Sequence, residues 1–108
     1  MDLLSHHCLL TMQPKTTITF RHEDTSIRIT RGHTVFTVTY RVNGEIHRIN
    51  DPAFIIYFAN GAVRVARWYI EGKLHRVGAP AIVYYNQTGD VTNQVWYENG
   101  SLIHSDES

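Results

Sequence analysis

The sequence predicts an all-β fold: an antiparallel meander of repeated β-hairpins in a strongly twisted or curled sheet. Three observations predict it. Val, Ile, Thr and Tyr, which suit strands, are frequent between residues 16 and 104. Asn-Gly pairs stand at Asn43-Gly44, Asn60-Gly61 and Asn99-Gly100. Asn-Gly between strand-like segments is the strongest short-range hairpin signal, because both residues tolerate positive φ. Finally, three strings line up at a 28-residue step: Tyr40-Arg41-Val42-Asn43-Gly44, Trp68-Tyr69-Ile70-Glu71-Gly72 and Trp96-Tyr97-Glu98-Asn99-Gly100.

The elements follow from these marks. Short strands are expected at 16–20 and 25–30, with Glu23-Asp24 in the turn between them. Long strands are expected at 34–42, 53–59, 62–70, 81–86 and 91–98. Shorter ones are expected at 45–47, 73–75 and 101–104. Glu71-Gly72 takes the place of an Asn-Gly turn, and Gln87-Thr88-Gly89-Asp90 reads as a four-residue turn. Pro52 and Pro80 each follow a His-Arg pair, and proline, which cannot donate to a ladder, starts a strand after a loop. No segment shows helical periodicity.

The 28-residue register holds without a gap. Gly44 matches Gly72, His47-Arg48 matches His75-Arg76, and Pro52-Ala53 matches Pro80-Ala81. Tyr57, Gly61 and Val63 match Tyr85, Gly89 and Val91. One β-repeat domain is therefore expected over 13–104, with a degenerate unit at 13–39, units at 40–67 and 68–95, and a partial unit at 96–104. Residues 1–12 read as a disordered leader, with Met12 an alternative start, and 105–108 as a tail. Period-two alternation puts Tyr40, Trp68 and Trp96 in one column, read as core between units, and Val35, Val63 and Val91 on the opposite parity. Both faces then carry apolar residues, so either the sheet curls or one face meets a partner.

Composition narrows the function. The 108 residues fit one domain with a thin stability margin. Formal net charge is zero, so nothing pulls the whole chain towards nucleic acid or acidic membranes. Without the tail acids Asp2, Asp106 and Glu107, ten Lys and Arg face seven acids, a mild basic excess. The single cysteine, Cys8, excludes an intrachain disulfide and suits a cytoplasmic location. No apolar run approaches the length of a membrane span.

The string Trp68-Tyr69-Ile70-Glu71-Gly72-Lys73-Leu74-His75-Arg76-Val77-Gly78-Ala79-Pro80-Ala81 resembles the WYxNGxxHRxxGPA repeat. That repeat is loosely related to the MORN type and is common in bacteriophage, large-virus and some bacterial proteins. The resemblance covers about residues 40 to 104. Tyr40 replaces the tryptophan, Ala79 splits the Gly-Pro pair, and the third unit lacks the His-Arg-Pro part. On this resemblance Tyr40, Gly44, His47, Arg48, Pro52, Trp68, Gly72, His75, Arg76, Pro80, Trp96 and Gly100 are structural repeat positions. It implies a scaffold or binding module, and by analogy a small phage or viral protein.

No nucleophile motif, phosphate-binding glycine loop or Cys-x-x-Cys pair is present, and no enzyme activity, cofactor or metal is expected. His47 and His75 read as side chains bonding backbone beside a loop rather than as a metal ladder, which needs three or four converging ligands. His6, His7 and Cys8 read as part of the leader. Tyr69, Tyr97, Arg41, Arg64 and Arg67 are the candidate interface residues, since tyrosine and arginine are enriched at binding hot spots. The expected function is a non-enzymatic protein-binding module that inhibits a host protein, for example a defence factor in the manner of an anti-CRISPR protein, or that pairs with itself as a homodimer. Arg28, Arg64 and Arg67 with aromatics leave a single-stranded nucleic-acid reading open, and a structural scaffold is the third alternative.

Overall fold

The computed structural model describes residues 16–32 and 34–107. The leader expected at 1–12, with His6, His7 and Cys8, lies outside the described residues, as does the start of the degenerate unit. The described chain is all-β and antiparallel, without a helix. Its strands are β1 (Thr16–His22), β2 (Thr25–Arg31), β3 (Val35–Val42), β4 (Glu45–Ile46), β5 (Phe54–Phe58), β6 (Val63–Arg67), β7 (Tyr69–Ile70), β8 (Lys73–Leu74), β9 (Ile82–Tyr85), β10 (Val91–Glu98) and β11 (Ser101–Glu107).

The main sheet runs β1-β2-β3-β5-β6-β9-β10-β11 and is open, with β1 and β11 at its two ends. The short strands are not rungs of this meander, contrary to the expectation of one continuous ladder. Along β3, Arg41 and Val42 pair with β4, while Val35 to Thr39 pair with β5 on the same side. The two short partners therefore sit end to end against one long strand. The strand expected over 62–70 is likewise broken at Trp68, and β7 pairs with β8 in a separate two-stranded sheet. At the other end the expected boundary is too early. β11 continues through Glu107 because Gln94 and Asn93 of β10 supply partners to Asp106 and Glu107.

Turn geometry explains the hairpins. Asn43-Gly44, Glu71-Gly72 and Asn99-Gly100 all have positive φ at both residues, 53° and 82°, 49° and 82°, and 51° and 82°. This primed turn matches strand twist. Asn60-Gly61 differs, because Ala59 adds a residue to the loop. Only Gly61 is left-handed, at φ 92°. The Phe58 N–H donates to the Ala62 carbonyl at 2.8 Å and the Gly61 N–H to the Phe58 carbonyl at 2.9 Å.

Hydrogen bonds recur 28 residues apart. The Tyr40 and Trp68 N–H groups donate to the Ala53 and Ala81 carbonyls, both at 2.8 Å. Ala53 and Ala81 in turn donate to Arg67 and Val95 at 2.9 and 2.8 Å. These two alanines are completely buried. They anchor a small core with Ile55, Val65, Ala66, Ile82 and Val83 in the central strands β5, β6 and β9. Among the described residues no large side chain is fully buried, so the aromatic column is not the core that alternation suggests. Tyr40, Trp68 and Trp96 are half-buried. Arg48 stacks on the Tyr40 ring and Arg76 on the Trp68 ring, each 3.9 Å from the centroid. Trp96 rests against His104, with ring centroids 4.9 Å apart.

Candidate interaction surface

Cross-strand partners share a face of the sheet, and in β1, β2 and β3 the register separates two chemistries. On one face Thr17, Thr30 and Thr37 form a row, Thr19, Arg28 and Thr39 the next, and Arg21, Ser26 and Arg41 the third. On the other, Ile18, Ile29 and Val38 form a row beside Phe20, Ile27 and Tyr40. The first face is a grid of hydroxyls and guanidiniums.

Arg21, Arg28 and Arg41 border an open cleft of about 400 Å³, with Thr25, Ser26 and Gly44 in its wall and Glu23 and Asp24 at the β1–β2 turn. None of the three arginines has an ion-pair partner among the described residues; the pairs found there are His22–Glu23 at 3.3 Å and Arg48–Asp51 at 3.9 Å. Arg21 and Arg28 are exposed and Arg41 half-exposed. Each offers a forked donor suited to a carboxylate or phosphate.

The five interface residues expected from sequence are not all brought together. Arg41 belongs to the grid. Arg67 extends the row of Arg28 and Thr39 through Phe54. Its guanidinium lies 5.1 Å from the Phe54 ring centroid, and its Nε is buried without a hydrogen-bond partner. Arg64 is exposed and lies 5.6 Å from the Phe58 ring centroid. Tyr69, in β7, and Tyr97, in β10, are half-buried, and their carbonyls accept from the Arg48 and Arg76 N–H at 3.2 and 3.1 Å. Arg21 was not among the sequence candidates. Alternation over 16–22 could have found it, since it shares parity with Thr17 and Thr19.

The histidines act within the fold. His47 Nδ1 accepts from the Glu71 N–H at 2.9 Å, and His75 Nδ1 accepts from the Asn99 N–H at 2.9 Å. Each ring thus holds the first residue of the next left-handed turn. Beside them the Gly72 and Gly100 N–H groups donate to the Ile46 and Leu74 carbonyls, both at 2.8 Å. Among the described residues no three His, Cys, Asp or Glu side chains gather as a metal site would require. Glu23 occupies the turn at φ 55° and is paired with His22. A second open cleft, about 360 Å³, lies between the two His-Arg loops and is lined by Arg48, Ile49, Trp68, Arg76 and Val77 among others. No helix among the described residues is long and apolar enough to cross a membrane.

The fold and surface define an open antiparallel sheet with a basic hydroxyl face at one end. Comparison of the chain with protein-family models, curated proteins and solved structures finds no match.

Proposed function

We propose that this chain is a non-enzymatic protein-binding module, and that its arginine–threonine face binds acidic groups on a protein partner. The observation that carries the reading is the set Arg21, Arg28 and Arg41, without ion-pair partners among the described residues, on one face of β1–β3. Uninterrupted seven-pair ladders from β1 to β2 and from β2 to β3 hold the backbone of these donors in place, which lowers the ordering cost of binding. Glu23 and Asp24 beside the same cleft favour a protein of mixed charge over a uniform phosphate backbone. Zero formal net charge favours it too.

The finer reading of the fold is a MORN-like hairpin repeat in a curled sheet. The 28-residue recurrence of hydrogen bonds and arginine–aromatic stacks supports it. On the same resemblance the protein is a small phage or viral product in the host cytoplasm that blocks a host protein by occlusion. Single-stranded nucleic acid is the second reading, and the adjacency of Arg67 to Phe54 and of Arg64 to Phe58 favours it.

The test is affinity capture from host lysate with the native chain and with an Arg28→Glu/Arg41→Glu variant. A specific protein held by the native chain and lost from the variant, with folding intact, supports the proposal. Capture of nucleic acid with affinity falling steeply in salt would favour the second reading. Partner binding unchanged in the variant would refute the assignment of this face.

A further inference from the structure

We infer that two copies of this chain pair through strand β1, joining their sheets across a two-fold axis at Thr19. The inference concerns self-association and does not depend on the partner proposed above. β1 ends the main sheet, and among the described residues nothing pairs with its outer side. All seven of its residues are exposed, including Ile18 at 50% and Phe20 at 56%. Natural edge strands are usually blunted by lysine, proline, a bulge or short length. The segment Thr16–His22 contains neither lysine nor proline, and its ladder to β2 runs through seven pairs without a register shift.

The outward hydrogen-bonding groups can be assigned. In a two-residue hairpin the pair flanking the turn, here His22 and Thr25, exchanges both bonds. Bonded and non-bonded pairs alternate from there. Thr16, Ile18, Phe20 and His22 therefore point their N–H and C=O groups at β2. Those of Thr17, Thr19 and Arg21 point away from the molecule. Antiparallel pairing centred on Thr19 sets Thr19 against Thr19 of the second copy, and Thr17 against its Arg21. All three outward residues find bonded partners.

The side chains agree with that register. Ile18 falls opposite Phe20 of the second copy, on the apolar face, at the closer non-bonded spacing. A one-residue slip would send apolar side chains to the opposite face. Arg21 of one copy and Arg21 of the other are separated by four residues along the strand. That is about 14 Å, beyond the ionic screening length of about 8 to 10 Å. The other edge is less suited. The β10–β11 ladder is shifted at Trp96/Tyr97, and self-pairing of β11 would bring Asp106 against exposed apolar side chains.

A seven-residue strand is about 24 Å long and a single-layer sheet edge about 10 Å thick. Edge pairing would bury on the order of 500 Å² in total, below the size of a standard specific interface. Association is therefore expected to be weak and reversible, in the range of about 100 μM. The two-fold axis is perpendicular to the sheet, so both arginine–threonine grids fall on one side of the dimer.

Sedimentation velocity of the untagged chain between about 5 and 500 μM tests the inference. The native chain should pass from monomer to dimer. The amides of Thr17, Thr19 and Arg21 should gain exchange protection as concentration rises, while those of Ile18 and Phe20 stay protected throughout. Thr19→Pro removes an outward donor and spares the bonds to β2. It should weaken association about tenfold or more with an unchanged circular dichroism spectrum. If Thr19→Pro does not fold, Phe20→Lys provides the same test. Leu102→Lys on the opposite edge should leave the dimer unchanged. A native chain monomeric across the range would overturn the inference. So would a dimer insensitive to both β1 variants, or one abolished by Leu102→Lys.

Discussion

Replacement of Arg76 by alanine should destabilise the fold more than any other single change on its surface. The guanidinium lies 3.9 Å over the Trp68 ring and donates to the Pro80 carbonyl at 3.1 Å. A half-buried cation–π contact contributes about 1 kcal/mol. A charged hydrogen bond to a part-buried carbonyl contributes about 1 to 2 kcal/mol. Taken as additive, the two give an expected loss of about 2 to 3 kcal/mol. With a urea slope between about 1 and 2 kcal/mol/M, the midpoint should fall by about 1 to 3 M. Far-UV circular dichroism reads this without interference from the altered tryptophan environment. Arg76→Lys keeps the charge but loses the flat stack and the fork, and should forfeit about half as much. Arg48→Ala should cost less, about 1 to 2 kcal/mol, because tyrosine is the weaker ring and the Pro52 carbonyl lies at 3.3 Å. A loss below about 0.5 kcal/mol for Arg76→Ala would refute the reasoning. So would the absence of coupling to Trp68→Leu in a double-mutant cycle.

Three further outcomes are expected. His75→Ala removes the acceptor that holds the Asn99 N–H and should cost about 0.5 to 1.5 kcal/mol by urea denaturation, with partial recovery in His75→Asn. Gly72→Ala and Gly44→Ala should each cost about 1 to 2 kcal/mol through their φ of 82°. The added methyl would meet only ordinary contact at Gly72 and open space at Gly44, so equal losses in thermal melts would identify backbone conformation as the cause. The Arg28→Glu/Arg41→Glu variant should lose partner binding while its urea midpoint stays within about 0.5 kcal/mol of native stability.

Much of the fold was legible because β-structure here is written locally. Glycine positions disclose turns through φ, and alternation discloses faces within a strand. The strands around Tyr40 and Val95 fell close to their expected bounds for that reason. The break at Trp68 was not legible. The expected long strand over 62–70 has strand-forming residues throughout, and only the competing partners β9 and β8 divide it. The late end of β11 has the same origin, since pairing to β10 supplies what local preference does not.

The arginine–threonine face was half legible. Arg41 was chosen for its residue type, which says nothing about neighbours. Arg21 and Arg28 join it through the β1–β2 and β2–β3 registers, which bring Arg21, Ser26 and Arg41 into one row. The two tyrosines were chosen on the same ground, and the fold sets Tyr69 in the separate β7–β8 hairpin and Tyr97 in β10, far from β1–β3 along the sheet.

Alone, the amino-acid order determined the strand class, the hairpin turns and the 28-residue interval, because backbone conformation and side-chain alternation are properties of neighbouring residues. Which strands became rungs of the main sheet, which aromatics were stacked by arginine and which cations came to share a face were decided only in three dimensions. Those outcomes depend on pairing between segments far apart in the chain, and pairing is a competition among partners that no single segment encodes.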